Sequence, residues 1–168
     1  MTTPFTPLDG GCHCGQVRFR MSVAPIITHC CHCRVCQTFS GSAFRVNAMI
    51  ETEHLDVLEG TTQTWQGTGR QKEVQCAACG FTVWSHHPGL GDAIAFVGVG
   101  MLDEGGRLPP EAHYFIRSKH PWVTLPAGVP AFEQGGDPGK PEAGARIGAA
   151  LAKAGAGRSL SDYTEAAG

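Results

Sequence analysis

The chain has 168 residues and a mass of 17.8 kDa, which is the size of a single domain. Hydrophobic residues make up 42% of it and charged residues 17%, so we expect a packed core rather than a disordered main body. The formal net charge of -2 argues against a basic nucleic-acid interface, and no apolar run approaches the roughly 18 residues that span a bilayer. The N-terminus lacks the basic and apolar stretches of a secretory signal, which predicts a cytoplasmic protein with neither nucleic-acid nor membrane partners.

Alternation of apolar and polar residues predicts strands from the first part of the chain onward. The pattern is clear over residues 17–21 and again over residues 44–50. Further apolar segments predict strands at 81–84, 93–101 and 113–117. Gly and Pro punctuate the whole region, as they do in all-β domains. We therefore expect one mainly β domain over residues 8–132.

The remaining residues, 133–168, differ in composition. They are rich in Gly and Ala, with two prolines near their start. We interpret them as a C-terminal extension that is flexible or holds a short helix over residues 142–153, where Ile147 and Leu151 lie four positions apart. Packing of this helix on the domain or on a partner is the second interpretation.

The eight cysteines are the most informative residues, because seven of them fall into closely spaced groups. The groups are Cys12-x-Cys14, Cys31-x-Cys33-x-x-Cys36 and Cys76-x-x-Cys79, with Cys30 beside the second group. Cysteines one or two positions apart converge readily on one metal ion but bridge each other only with strain, which argues against a disulfide framework. Four thiolates can also hold an iron–sulfur cluster, but the Cys-x-Cys step favours zinc.

Counting ligands suggests how the cysteines divide. Cys31, Cys33 and Cys36 can bind one ion from a single loop, which leaves the two other pairs to form a four-thiolate site. A site with four protein ligands is structural, whereas three protein ligands leave a position for substrate. Spacing alone does not prove this division, since Cys30 or His32 would close the second site and make it structural as well.

Several motifs together resemble the glutathione-dependent formaldehyde-activating enzyme (GFA) family. They are Gly-Gly-Cys-His-Cys-Gly at 10–15, Cys-His-Cys-x-x-Cys at 31–36, Ser-Gly-Ser-Ala-Phe at 40–44, Cys-x-x-Cys-Gly at 76–80, His-x-Phe at 113–115 and Ser-Lys-x-Pro-Trp at 118–122. The resemblance implies a mainly β fold with antiparallel sheets of the β-tent type around two zinc sites per chain. It assigns a structural zinc to Cys12, Cys14, Cys76 and Cys79. It assigns the zinc associated with activity to Cys31, Cys33 and Cys36.

The same resemblance implies a function in carbon–sulfur chemistry. The expected activity is a zinc-dependent carbon–sulfur lyase or synthase, acting on S-hydroxymethylglutathione or a related adduct of a thiol and a small aldehyde. Three thiolates make zinc a weak Lewis acid, so a soft exogenous thiol suits the fourth position better than water. A thiol bound there is held as thiolate, which is the nucleophile. Two other functions fit these residues, namely a glutathione or thiol carrier without turnover and a zinc-stabilised interaction module.

Outside the cysteine groups, few residues are candidates for contacting substrate. Glutathione carries two carboxylates, so its pocket needs cationic groups, and Arg34 is a predicted substrate contact. His113, which fits the family motif, is the other predicted contact and could move protons near neutral pH. Further candidates are Arg45, Arg117 and Lys119. His13 and His32 each lie between two cysteines and should point away from the metal that those cysteines bind. Cys30 is interpreted as a small buried residue, with a spare ligand or a redox-active thiol as alternatives.

Overall fold

A computed structural model describes residues 4–66, 71–135, 140–155 and 157, which form two β-sheets and two α-helices. The strands are β1 (Leu8–Gly11), β2 (Arg18–Met21), β3 (Ile27–Cys31), β4 (Arg45–Glu51), β5 (Leu55–Glu59), β6 (Thr62–Gln66), β7 (Lys72–Cys76), β8 (Thr82–His86), β9 (Ile94–Gly98), β10 (Ala112–Tyr114) and β11 (Ala131–Phe132). The helices are α1 (Arg34–Ser40) and α2 (Pro141–Lys153). The mainly β class predicted from the sequence is confirmed.

The two sheets differ in size and in strand direction. The smaller sheet has the order β1-β2-β5 and is antiparallel. The larger sheet has the order β11-β10-β3-β4-β9-β8-β7-β6 and is antiparallel except at one edge, where β10 runs parallel to both β3 and β11. Parallel neighbours require a long connection, and six strands separate β3 from β10 along the chain.

Side chains alternate between the two faces of the larger sheet, so its buried residues belong to two hydrophobic cores, one on each face. On β4, Ala48 and Ile50 belong to the inter-sheet core, which also contains Phe19 of the smaller sheet. The ring of Phe19 meets that of Trp84 edge to face, with centroids 5.9 Å apart. Met49, between the two β4 residues, belongs instead to the helix-side core on the opposite face of the sheet.

Helix α2 covers the helix-side core with one apolar stripe. Ala143, Ile147 and Leu151 recur every four positions and are buried in that core. The structure therefore shows the packed helix rather than a flexible segment over residues 141–153. Residues 136–139, 156 and 158–168 of the predicted extension lie outside the described residues, and the boundary at residue 132 stays a prediction. No helix among the described residues is long and apolar enough to cross a membrane.

An ion pair also fixes α2 to the larger sheet. Arg146 donates from Nε and Nη2 to the two carboxylate oxygens of Glu51, at 2.7 and 2.6 Å. Burial alone would raise the pKa of Glu51, but the hydrogen bonds and charge of Arg146 lower this pKa below its ordinary value.

Two predicted strands are shorter than the sequence pattern indicates. Strand β9 ends at Gly98, and the chain continues as a 3-10 turn over Val99–Met101. Strand β10 ends at Tyr114, because Phe115 has a φ of 59°, in the left-handed region and outside the extended region of regular strands. Period-two alternation cannot reveal such a change of backbone conformation.

Candidate metal centres and substrate cavity

Four cysteines meet where the turn after β1 approaches the turn after β7. The Sγ atoms of Cys12, Cys14, Cys76 and Cys79 all lie within 4.8 Å of one another. Cys12 and Cys76 are buried, whereas Cys14 and Cys79 are exposed. Gly80 has a φ of 72°, which lets the backbone turn sharply after Cys79. The structure thus brings together the four residues for which the sequence predicts a structural zinc.

Three further cysteines meet at the start of α1. Cys31 is the last residue of β3, Cys33 caps α1 and Cys36 lies in its first turn, and their Sγ atoms also lie within 4.8 Å of one another. Cys31 and Cys36 are buried in the helix-side core, and Cys33 is half-buried against it. These are the three residues for which the sequence predicts the second zinc.

Backbone N–H groups donate to sulfur in both groups. Val17 donates to Cys12 Sγ at 3.2 Å, and Cys36 donates to Cys33 Sγ at 3.3 Å. Burial opposes ionisation of Cys12, but the hydrogen bonds from Val17 and from neighbouring thiols lower its pKa to about 6. Hydrogen bonds from the other two thiols of its group, and from the backbone, hold the pKa of Cys33 well below its usual range. In each group one thiol is thus favoured as the thiolate, which is the form that binds metal. In contrast, hydrogen bonding to the neighbouring thiols and burial raise the pKa of Cys31. A backbone hydrogen bond lowers the pKa of Cys14, but hydrogen bonds to the other thiols raise it overall.

A third group of possible ligands lies on the opposite face of β3 from the three cysteines. Cys30, His32 and His113 are all buried, and one ligand atom of each lies within 4.8 Å of the other two. His32 Nε2 and His113 Nδ1 are 3.1 Å apart. Burial, together with the nearby charges of His113 and Lys119, lowers the pKa of His32 to about 4, so the ring is neutral at pH 7. The structure thus places His113, predicted as a substrate contact, with Cys30 and His32.

Arg45 lies beside the three-cysteine group. It stands directly opposite Cys31 in the β3–β4 pair, and its guanidinium carbon lies 4.2 Å from the centroid of the Phe39 ring. Gly98 of β9 leaves room for this side chain, since a Cβ there would lie 3.2 Å from Arg45 Nη2. Arg34, the predicted contact, is exposed and donates to Gln37 Oε1 at 2.7 Å.

A cavity of about 620 Å³ opens next to Arg45. The end of α1, the start of β4, the turn after Cys79 and the 3-10 turn after β9 form its walls, which are mostly apolar. The apolar walls come from Phe39, Phe44, Val46, Phe81, Val99 and Met101, and the polar groups from Ser40, Arg45 and Thr82. The cysteines are not among its lining residues, whereas Arg45 both lines it and lies beside the three-cysteine group.

The fold and these sites define a class of protein, namely a cysteine-rich β domain with three groups of metal-type ligands among its described residues. The model of the GFA family, described as "Glutathione-dependent formaldehyde-activating enzyme", matches residues 7–118, and the chain belongs to this family. The resemblance seen in the motifs is therefore confirmed.

Two individual relatives share little sequence identity with this chain. A Halomonas elongata protein named "Putative glutathione-dependent formaldehyde-activating enzyme" is 27% identical over 127 residues, which cover 70% of this chain and 80% of the relative. A crystal structure of a Rhodobacter sphaeroides protein, a structural genomics target, aligns with a TM-score of 0.46 and 19% identity. That alignment covers 74% of this chain and 98% of the other.

Proposed function

We propose that the protein catalyses the formation or cleavage of a carbon–sulfur bond in an adduct of a thiol and a small aldehyde, with S-hydroxymethylglutathione as the reference substrate. The observation that carries this proposal is the three-cysteine group, in which three sulfurs converge within 4.8 Å beside a cation and a cavity. Membership of the GFA family supports glutathione and formaldehyde as the substrate class.

The residues of both cysteine groups fit zinc. Sulfur ligands in groups of four and three, some already accepting N–H hydrogen bonds, are the donor sets that this ion prefers. We therefore propose two zinc ions per chain, a structural one held by Cys12, Cys14, Cys76 and Cys79 and another held by Cys31, Cys33 and Cys36. When bound by three cysteines, zinc supplies a fourth position that stabilises a substrate thiol as thiolate.

In the synthetic direction, the substrate sulfur forms a bond to the aldehyde carbon while the C=O π bond breaks. The oxygen then takes up the proton that the thiol has released. Cleavage reverses these steps and expels the thiolate. Addition of thiolates to formaldehyde needs no large acceleration, so the contribution of the chain is to hold the two reactants together in the reacting geometry.

Arg45 is the residue best placed to orient the substrate. Arg45 lines the cavity and is the backbone partner of Cys31 in the β3–β4 pair, so its guanidinium can pair with a substrate carboxylate while the sulfur reaches the three cysteines. The apolar walls of the cavity exclude water from this ion pair. Arg34 stays a proposed contact for a second carboxylate at the exposed start of α1. For His113 the geometry is less favourable, since it lies on the other face of β3 from the three cysteines.

NMR exchange spectroscopy of glutathione, formaldehyde and their adduct at equilibrium tests the proposal. The samples are the wild-type protein, Cys33→Ser, His13→Gln and buffer alone. His13 is the matched control, because it is an exposed residue between two cysteines of the other group. We expect exchange faster than in buffer for wild type and His13→Gln, and a loss of at least ~10-fold of this excess in Cys33→Ser.

A circular dichroism spectrum must show that Cys33→Ser keeps its fold. Exchange at the rate of buffer in the wild type would contradict the proposed reaction. Tight glutathione binding in that case would indicate a thiol carrier instead.

A further inference from the structure

We propose a third metal site in this chain, formed by Cys30, His32 and His113, which binds one divalent ion of the zinc type. The site shares no ligand with either cysteine group.

Strand geometry explains why these three residues converge. Side chains alternate between the two faces of a strand, so Cys30 and His32 share one face while Cys31 and Cys33 share the other. The pairing with β10 continues one residue beyond β3, because His32 N–H donates to the Tyr114 carbonyl oxygen at 3.0 Å. In this parallel register His113 lies directly beside Cys30. One short segment thus supplies ligands to two sites on opposite faces of the sheet.

The distances suit a metal ion. Two nitrogen ligands bound to zinc at about 2.0 Å in a tetrahedron are ~3.3 Å apart, and the two facing ring nitrogens here are 3.1 Å apart. A hydrogen bond between the rings would satisfy these two nitrogens but would leave Cys30 Sγ outside it. A metal ion gives all three converging atoms a partner.

The donor set selects the kind of metal. One thiolate and two imidazoles suit zinc, whereas magnesium and calcium prefer oxygen ligands. Burial of the three residues keeps water from competing for the ion. The ring of Phe44 shields the site further, with its centroid 5.4 Å from that of His32.

The net charges of the third metal site and of the three-cysteine site, when each binds a divalent ion, are opposite and favour occupancy of both. One thiolate with a divalent ion has a net charge of +1, and three thiolates with a divalent ion have a net charge of -1. These opposite charges lie on the two faces of the same strand, so each lowers the cost of burying the other. Lys119 adds positive charge near His32, so we expect the third site to bind metal more weakly than the two cysteine sites.

Cadmium substitution of the full chain tests the proposal, because each type of ligand set gives its own ¹¹³Cd NMR signal and sulfur ligands deshield the nucleus. The samples are wild type, His32→Gln and the matched control His13→Gln, in which another histidine between two cysteines is changed. We expect three resonances for wild type and His13→Gln. His32→Gln should lose the most shielded resonance, and elemental analysis of its zinc form should show one ion fewer per chain.

Cys30→Ala provides a second variant if His32→Gln does not fold, since it only shortens a small buried side chain. It should lose the same resonance and leave the other two in place. Two resonances in the wild-type protein would overturn the proposal. So would a change in the three-cysteine resonance of Cys30→Ala without loss of a signal, because Cys30 would then complete the second zinc site.

Discussion

The two hydrophobic cores assemble their cysteines in different ways. The inter-sheet core contains Cys12 and Cys76 of the four-cysteine group. This group brings together distant parts of the chain, since Cys14 and Cys76, for example, are separated by 62 residues. The helix-side core contains Cys31 and Cys36, which come from one loop. Closing a long loop removes more conformational freedom from the unfolded chain than closing a short one. The comparison favours our proposal that the four-cysteine group supports the fold and the three-cysteine group serves the chemistry.

The largest expected effect is on the free energy of unfolding, which should depend far more on the four-cysteine group than on the three-cysteine group. Cys76 is fully buried and lies in the long-range group, so Cys76→Ser should lower the free energy of unfolding of the zinc-loaded protein by more than ~4 kcal/mol. Cys36→Ser removes a cysteine that is also buried but lies in the local group, and should cost less than half as much. Urea unfolding followed by circular dichroism measures both. Equal losses would contradict the division into a structural and a chemical site.

A smaller effect concerns substrate binding next to the local group. Arg45→Met should raise the KM for glutathione by about 10-fold or more, because a charged hydrogen bond contributes ~1.5–3 kcal/mol. Arg34→Met, at the exposed start of α1, should change it by less than ~3-fold, and Arg45→Lys should restore part of the loss by keeping the charge. Steady-state kinetics provides the values. A larger effect at Arg34 than at Arg45 would place the substrate outside the cavity.

The smallest expected effect tests how firmly α2 closes the helix-side core. Arg146→Met should lower the free energy of unfolding by ~2 kcal/mol at pH 7, because it removes a bidentate ion pair with Glu51. The pKa of Glu51 is lower in the folded protein than in the unfolded chain, so this stabilisation is present above the unfolded pKa of about 4.3 and is lost as the pH falls through the folded pKa. The difference in free energy of unfolding between the two proteins should therefore start to shrink below about pH 4 and vanish only below the folded pKa of Glu51. A constant difference down to pH 2 would show that the helix is held by packing alone.

The sequence predicts the local parts of the site well. Cysteines one or two positions apart must lie close together whatever the fold, so the spacing of Cys31, Cys33 and Cys36 is enough to predict their grouping. The ligand count then pairs Cys12 and Cys14 with Cys76 and Cys79, and the structure brings these four together.

The parts that depend on strand pairing could not be predicted. His113 meets Cys30 only because β10 pairs in parallel with β3, and Arg45 stands opposite Cys31 only through the β3–β4 register. Neither pairing leaves a signal in a single sequence. The sequence leaves two interpretations of α2, a flexible segment and a packed helix. The helix is rich in Gly and Ala, and only Ile147 and Leu151 carry large apolar side chains that indicate a buried face.

The missing side chain of Gly98 also has a consequence for how this enzyme family can diversify. Alanine at this position would bring a methyl group to within 3.2 Å of Arg45 Nη2, and the flexible guanidinium would move aside. A single methyl group on β9 would thus shift the positive charge of the cavity by a few tenths of an ångström. We therefore expect a substitution at residue 98 to change which thiol substrate the cavity accepts.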